Sequence, residues 1–412
     1  MKQFYKREIL VLGAAIASIG YVFSIATGSI GLMLFLVAWL TNYRDVDLGV
    51  ILKRNSLHLL LLFFGLLIIQ IFYSLNIKQG QKDIMRFLAF IIFPLIFLTI
   101  KPFGQNERNR IVRIFVHALS LFFIVCFVNA MIRQIGFWSR GGIFNWYYFY
   151  RYDFLEIFRQ HPTYLSMFTL LSLNFIFYKK KGIIIKPWLL YGSALLQTVA
   201  ILLYGSRIGY ILLILLLGIY ILKNISLKSG KDRVRKLLIY GSGLIFLVAV
   251  MWNIPIIKER LLYSVGFDYN YKFNDKKFIG TNTPEEKGRL LLWQDALEII
   301  KESPLFGHGT GSSRDVLLQK YKIENHTVFL KKRYNAHNTY LELLIMGGVF
   351  LLASYLSVLG VLFYQGKRRN DTVLLSFFLI ILITSITETI FRAEGIMFLS
   401  FFYCFLLTKS SE

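Results

Sequence analysis

Long apolar runs recur along almost the whole chain, and they decide its fold class. Segments at about 9–24, 26–41, 57–75, 84–100, 111–132, 161–178, 187–204, 207–223, 237–253, 338–364, 372–390 and 393–408 each approach the length of a bilayer-crossing helix. Crossing the hydrocarbon layer takes roughly 20 apolar residues per helix. The runs are continuous rather than alternating, which argues against a β-barrel. The expected fold is all-α: a polytopic membrane protein with about 12 transmembrane helices. With 56% hydrophobic residues among 412, the chain is too apolar for a soluble protein.

The formal net charge is +24, and its placement matters more than its size. If the N-terminus is cytoplasmic, then Lys6, Arg7, Arg44, Lys53, Arg54, Arg108, Arg110, Arg113, Lys179 to Lys181, Lys228, Arg233 and Lys367 to Arg369 all fall on the cytoplasmic side. The short outer loops hold far fewer basic residues. This positive-inside pattern predicts that both termini are cytoplasmic and that the number of spans is even. The basicity is therefore topological, and no nucleic-acid partner is expected. No cleavable signal sequence is expected, because the first apolar run leads into Gly28-Ser29-Ile30-Gly31 and a second run. Cys126 and Cys404 fall inside predicted helices and the histidines are scattered. Neither a disulfide framework nor a metal site can be built from them, and no cofactor is expected.

On this topology the chain forms a single integral membrane domain, 1–412, with two long outer segments. The segment 133–160 is aromatic, with Phe137, Trp138, Phe144 and Trp146 to Tyr150 suited to the headgroup layer. The segment 254–337 is the only large polar stretch, inserted between the ninth and tenth helices. Within it, Thr283-Pro284-Glu285-Glu286 has the pattern of a capping box with proline in the first turn. A helix from Glu285 to Glu302 should follow, ended by Ser303-Pro304. Leu292, Trp293, Ala296, Leu297 and Ile300 would form its apolar face, and Arg289 would project from that face or its edge. Next comes Gly307-His308-Gly309-Thr310-Gly311-Ser312-Ser313, then a short helix from Arg314 to Ile323. The glycine-rich run could hold an anion at a helix N-terminus or serve as a tight turn. It follows a helix and a proline, not a strand, which excludes a P-loop.

Three groups stand out chemically. Arg207, in Tyr204-Gly205-Ser206-Arg207-Ile208-Gly209, lies between two apolar runs with almost no loop. A charge so near hydrocarbon is costly and points to function, although it could also snorkel to the interface as an anchor. Arg289 would face the same outer surface, and two guanidinium groups suit a phosphate or diphosphate. His337, in Asn335-Ala336-His337-Asn338-Thr339, sits where polar chain meets an apolar run, as a general base, a phosphate ligand or a helix cap. Arg159 and His161 open the sixth helix at the outer surface and are weaker candidates. Glu388, Arg392 and Glu394 share a short turn and are expected to pair with one another.

These residues resemble the motif set of the O-antigen ligase and O-antigen polymerase superfamily of bacterial membrane glycosyltransferases, the ligase branch most closely. The resemblance rests on Gly205-Ser206-Arg207-Ile208-Gly209 and on Gly288-Arg289, Trp293, Ala296, Leu297, Pro304, Leu305, Gly307, Gly309 and Gly311. It rests also on His337-Asn338 followed by Gly348. It implies a C-type glycosyltransferase-like fold with a large helical periplasmic loop in the bacterial inner membrane. It implies inverting, metal-independent transfer of a glycan from undecaprenyl diphosphate to lipid A-core oligosaccharide at the periplasmic face. His337, Arg207 and Arg289 would be catalytic. Arg207, Arg289, Asn338, His161, Arg159 and Ser206 would bind substrate. The aromatic segment 133–160 departs from the glycine-rich form common in the family. A polymerase joining lipid-linked repeat units has the same motifs, and a lipid-linked sugar flippase is the alternative of another class. Against a flippase, no inverted repeat or paired broken helices are evident.

Overall fold

The computed structural model describes residues 2–41, 55–178, 186–226, 231–253 and 285–408. Among these the chain is helical, with no β-strand. In order, the helices are α1 (Lys2–Phe23), α2 (Ile25–Leu40), α3 (Asn55–Ile69), α4 (Ile77–Phe87), α5 (Ala89–Thr99), α6 (Gln105–Trp138), α7 (Arg151–Phe154), α8 (Pro162–Tyr178), α9 (Pro187–Tyr204), α10 (Arg207–Ser226), α11 (Lys231–Asn253), α12 (Glu285–Glu302), α13 (Ser313–Ile323), α14 (Thr327–Lys332), α15 (Thr339–Arg368), α16 (Thr372–Thr387) and α17 (Ala393–Leu407). The helices α6, α10 and α15 are long and apolar enough to cross a bilayer; α2, α3, α9, α16 and α17 are shorter apolar helices. The chain is a membrane protein. The capping box at Thr283-Pro284 lies outside the described residues.

Two compact units are present. The first comprises Met1–Gly13, Leu32–Gly104 and Asp268–Glu412; the second comprises Ala14–Gly31 and Gln105–Phe267.

In the first unit, α15 packs on α3, α12 and α16, while α5 packs on α3 and α17. The core is aromatic. Phe35 meets Phe93, Phe97 and Phe401, and Phe63 meets Phe90, Tyr355 and Phe391. The run 84–100 is not one helix. Its first residues belong to α4, whose Lys78, Lys82, Asp83 and Arg86 make it strongly amphipathic, and α5 begins only at Ala89. Asn76 caps α4, accepting the Gln79 N–H at 3.0 Å.

Helix α15 is broken at Gly347 (φ −141°) and Gly348 (φ +61°). The freed backbone groups are taken up by the glycine-rich run. His308 N–H donates to Ile345 O and Gly309 N–H to Met346 O, each at 2.8 Å, and Val349 N–H donates to Pro304 O at 3.0 Å. A helix break inside a buried core needs such replacement partners. A Cβ on Gly348 would lie 2.2 Å from the Leu305 carbonyl, so the two backbones touch where only glycine fits. The run is therefore a tight turn laid on other backbones. Two of the N–H groups an anion would need are already donated to α15.

In the second unit α8 is central, with Pro162 to Ile176 buried throughout. It packs on α6, α9 and α10, and α10 packs on α11. Phe115 meets Phe168 and Phe175, and Gln197 donates to Val116 O at 3.0 Å. Gly209 lets α10 approach α8 closely: a Cβ there would lie 2.7 Å from Ser166 Oγ. Small residues at such contacts are the usual means of close helix approach in membranes.

Candidate functional site

In the first unit, three functional side chains meet at the start of α15. Asn338 begins that helix, its Oδ1 accepting the Leu341 N–H at 3.1 Å. His337, one residue earlier, has φ +46° and donates its N–H to Asn335 Oδ1 at 3.1 Å. This turn swings the imidazole away from the helix axis toward the end of α16. There Glu388 presents a buried carboxylate, 7% exposed. Its Oε2 lies 3.1 Å from His337 Nδ1, and its Oε1 accepts from Arg289 Nη2 at 2.9 Å. Arg289 Nη1 also donates to Thr387 O at 2.9 Å. Thr339 fixes the turn after α16, donating to Glu388 O at 2.8 Å and accepting the Ile390 N–H at 3.1 Å.

Glu388 was expected to pair with Arg392 and Glu394. Arg392 does reach Glu394, at 3.5 Å, and Glu388 also bridges Arg289 and His337. Its burial explains these partners: a desolvated carboxylate needs close, well-aligned cations and donors. An acid in Thr387-Glu388-Thr389, directly after an apolar run, was itself the signal, by the same argument that singled out Arg207.

The arrangement has chemical consequences. A carboxylate on Nδ1 sets the imidazole orientation and leaves Nε2 as the proton-accepting nitrogen of the neutral ring. The Tyr334 ring stands edge-on to His337, with centroids 5.5 Å apart. Arg289 commits two of its five N–H donors to protein partners, leaving donors on a group 32% exposed.

Helix α12 positions Arg289 as its periodicity predicts. Leu292, Ala296, Ile299 and Ile300 are buried against Val316, Leu317, Tyr321 and Phe329. Leu297 departs from the expectation and is 48% exposed; Ile299 takes its place on the buried face. Trp293 Nε1 donates to Ala336 O at 3.1 Å, tying the helix to the residue before His337. Beneath it lies a histidine–carboxylate pair that sequence reasoning did not single out, His326 Nδ1 to Asp295 Oδ2 at 2.8 Å. Tyr321 lies close by, its phenol pushed up by burial and then by the Asp295 and Glu342 charges. This pair joins α12 to the start of α14.

In the second unit, Gly205 ends α9 in a left-handed conformation, φ +66°. Ser206 is buried; its Oγ accepts the Gly209 N–H at 3.2 Å and lies 3.4 Å from Thr163 Oγ1. Arg207, half-buried, is the first residue of α10. His161 Nδ1 accepts the Thr163 N–H at 3.3 Å, and its ring lies between Tyr152 and Tyr164. Arg159 is exposed, with φ +51°. The side-chain oxygens of Ser206 and Asn338 are thus both engaged in helix caps. Arg289, His337 and Asn338 come together in the first unit. Ser206 and His161 both contact Thr163 in the second unit, to which Arg207 also belongs.

Residues 192–356 match a family model described as O-antigen ligase. An uncharacterized protein of Haemophilus influenzae is 29% identical over 195 residues, covering 44% of this chain and 45% of that protein. The chain thus spans less than half the length of that relative. The family match takes in Ser206, Arg207, Arg289, His337 and Asn338 and stops short of Glu388. That match supports the resemblance of residues 192–356 to the O-antigen ligase and polymerase superfamily.

Proposed function

We propose that the chain is an inverting glycan transferase of the ligase type. It takes a glycan from undecaprenyl diphosphate at the periplasmic face of the inner membrane and transfers it to lipid A-core oligosaccharide. The proposed topology has twelve spans, cytoplasmic termini and a periplasmic segment 254–337. The observation that carries the reading is the Glu388 carboxylate holding Arg289 and His337 together within hydrogen-bond reach.

In the proposed reaction the acceptor hydroxyl attacks the anomeric carbon of the donor sugar. A new glycosidic C–O bond forms as the bond to the diphosphate oxygen breaks. The hydroxyl proton passes to His337 Nε2, and the electron pair leaves on undecaprenyl diphosphate. Arg207 and Arg289 offset the charge developing on the departing diphosphate. Hydrogen bonding of Glu388 to Nδ1 favours the proton-accepting role of His337 over a phosphate-ligand role. The proposed reaction uses no metal, and transfer should persist in excess EDTA.

The test is glycan transfer in proteoliposomes supplied with the lipid-linked donor and lipid A-core. Arg207→Ala, Arg289→Ala and His337→Ala should each lose transfer while still inserting in the membrane. Arg289→Lys should also be impaired, because one ammonium cannot reproduce the guanidinium fork that holds Thr387 O and Glu388 together. Full activity in all of the alanine variants would reject the site. A polymerase would be recognised by its product: strains lacking it leave single repeats on the core, whereas strains lacking a ligase leave the core bare.

A further inference from the structure

Helix α4 is joined at both ends to apolar helices. Residues 70–76 separate it from α3, and Leu88 alone separates it from α5. Both ends of this 11-residue helix, about 16 Å long, are therefore held at the edge of the apolar layer, and α4 runs along that edge. Its two faces differ. On the packed face a Cβ on Gly80 would lie 2.6 Å from Thr310 O, and Phe87 is buried against Phe90 and Phe391. Asn76, the cap of α4, donates to Asp315 Oδ2 at 2.6 Å, and Ser74 Oγ lies 2.8 Å from Ser312 Oγ. The helix is thus fastened to the glycine-rich turn and to the start of α13. The open face repeats every four residues in two columns. Ile77, Gln81 and Met85 form one, Lys78, Lys82 and Arg86 form the other, and all are exposed. Asp83 accepts from Gln79 at 3.0 Å and lies 3.4 Å from Arg86. Neither lysine meets an acid among the described residues. Phe72 and Leu75, just before the helix, are 85% and 71% exposed.

Apolar side chains this exposed, beside a column of cations, mark an interaction surface. A layer of phosphate headgroups over acyl chains answers both columns: the apolar side chains enter the acyl boundary while the ammonium groups meet phosphate oxygens. We propose that α4 is an interfacial helix whose Lys78, Lys82 and Arg86 column binds the anionic phospholipid headgroups of the bilayer leaflet it faces. Lipid is the occupant, rather than a protein partner, because the face is tied at both ends to helices of the apolar layer. Binding there holds α13 against the bilayer surface, and with it α12, which packs on α13 and carries Arg289. The proposal is independent of the reaction proposed above.

The test uses the full-length protein with an environment-sensitive fluorophore attached at Gln81→Cys, on the open face. The native Cys126 and Cys404 are buried and escape labelling. Quenching is measured in phosphatidylcholine nanodiscs that hold a small, equal fraction of either doxyl-labelled phosphatidylglycerol or doxyl-labelled phosphatidylcholine. A lysine near the surface is worth about fivefold in attraction to anionic lipid, so the anionic quencher should act several-fold more strongly than the neutral one. Lys78→Gln/Lys82→Gln leaves the packed face untouched and should bring the ratio near one, and added salt should lower it in the unsubstituted face. A fluorophore that neither lipid quenches stands in water, which overturns the interfacial placement. Equal quenching by the two lipids overturns the recognition of anionic headgroups. A ratio unchanged by the double substitution takes that recognition away from α4. Displacement of the anionic quencher by lipid A, but not by equimolar unlabelled phosphatidylglycerol, would make the face a glycolipid site and overturn its assignment to phospholipid.

Discussion

Glu388 does at one position what neither Arg289 nor His337 can do alone. Its two carboxylate oxygens hold a guanidinium and an imidazole 2.9 and 3.1 Å away, and it is almost fully buried. Replacing it by glutamine keeps the shape but turns one acceptor oxygen into an amide donor. That donor either opposes Arg289, breaking the contact, or donates to His337 Nδ1, which places the ring proton on Nε2 and removes the proton-accepting nitrogen. Glu388→Gln should lower transfer on the order of 10–100-fold, the usual cost of losing a group that orients a reacting side chain. The reduction should appear in kcat more than in KM and should change the pH profile of kcat. Glu388→Asp should recover part of it. A pH profile identical to that of the wild type would mean that Glu388 serves only to hold α16 against α12. The two arginines and the histidine were readable as charges beside apolar runs. The pairing was not, because Glu388 lies 99 residues from Arg289 and 51 from His337 in sequence, and proximity at that separation depends on packing.

At the scale of elements, local patterns were the readable part. The helix Glu285–Glu302 and the start of α8 at Pro162 follow from proline placement and apolar period. The break in α15 was not readable. Gly347-Gly348 inside an apolar run is tolerated by an unbroken helix at modest cost, and only the turn Pro304–Gly309, some forty residues upstream, makes the broken form satisfied. The glycines at 307, 309 and 311 likewise pack on backbone from α15, α4 and the residues before α4. This arrangement gives a sharp expectation for Gly348→Ala. Its φ of +61° with ψ −157° is a conformation essentially confined to glycine and costs a β-carbon about 1–3 kcal/mol, and the contact with Leu305 adds to it. The variant should yield less folded protein and lose its melting transition at lower temperature. Gly360→Ala on the same helix, where a Cβ meets nothing within 4 Å, should be neutral or stabilising.

At the scale of the whole molecule, the residues proposed to act on the donor are divided between two compact units. Arg207 belongs to one, and Arg289, Glu388 and His337 to the other. The transferase reading requires both sets to act in one transition state, and it makes a quantitative demand on combined variants. Groups that act as one catalytic unit are strongly non-additive: once one is lost, removing the second costs little more. Groups that act independently of one another multiply their losses. Arg207→Ala/His337→Ala should therefore retain about the activity of the poorer single variant, measured as initial transfer rate at saturating acceptor. The two single variants should still differ in kind. Arg207→Ala should raise the apparent KM for the lipid-linked donor. His337→Ala should leave donor binding intact and remove turnover, because it takes the proton and not the leaving group. A double variant whose loss equals the product of the two single losses would show that Arg207 and His337 act independently, and the single-unit form of the proposal would have to be abandoned.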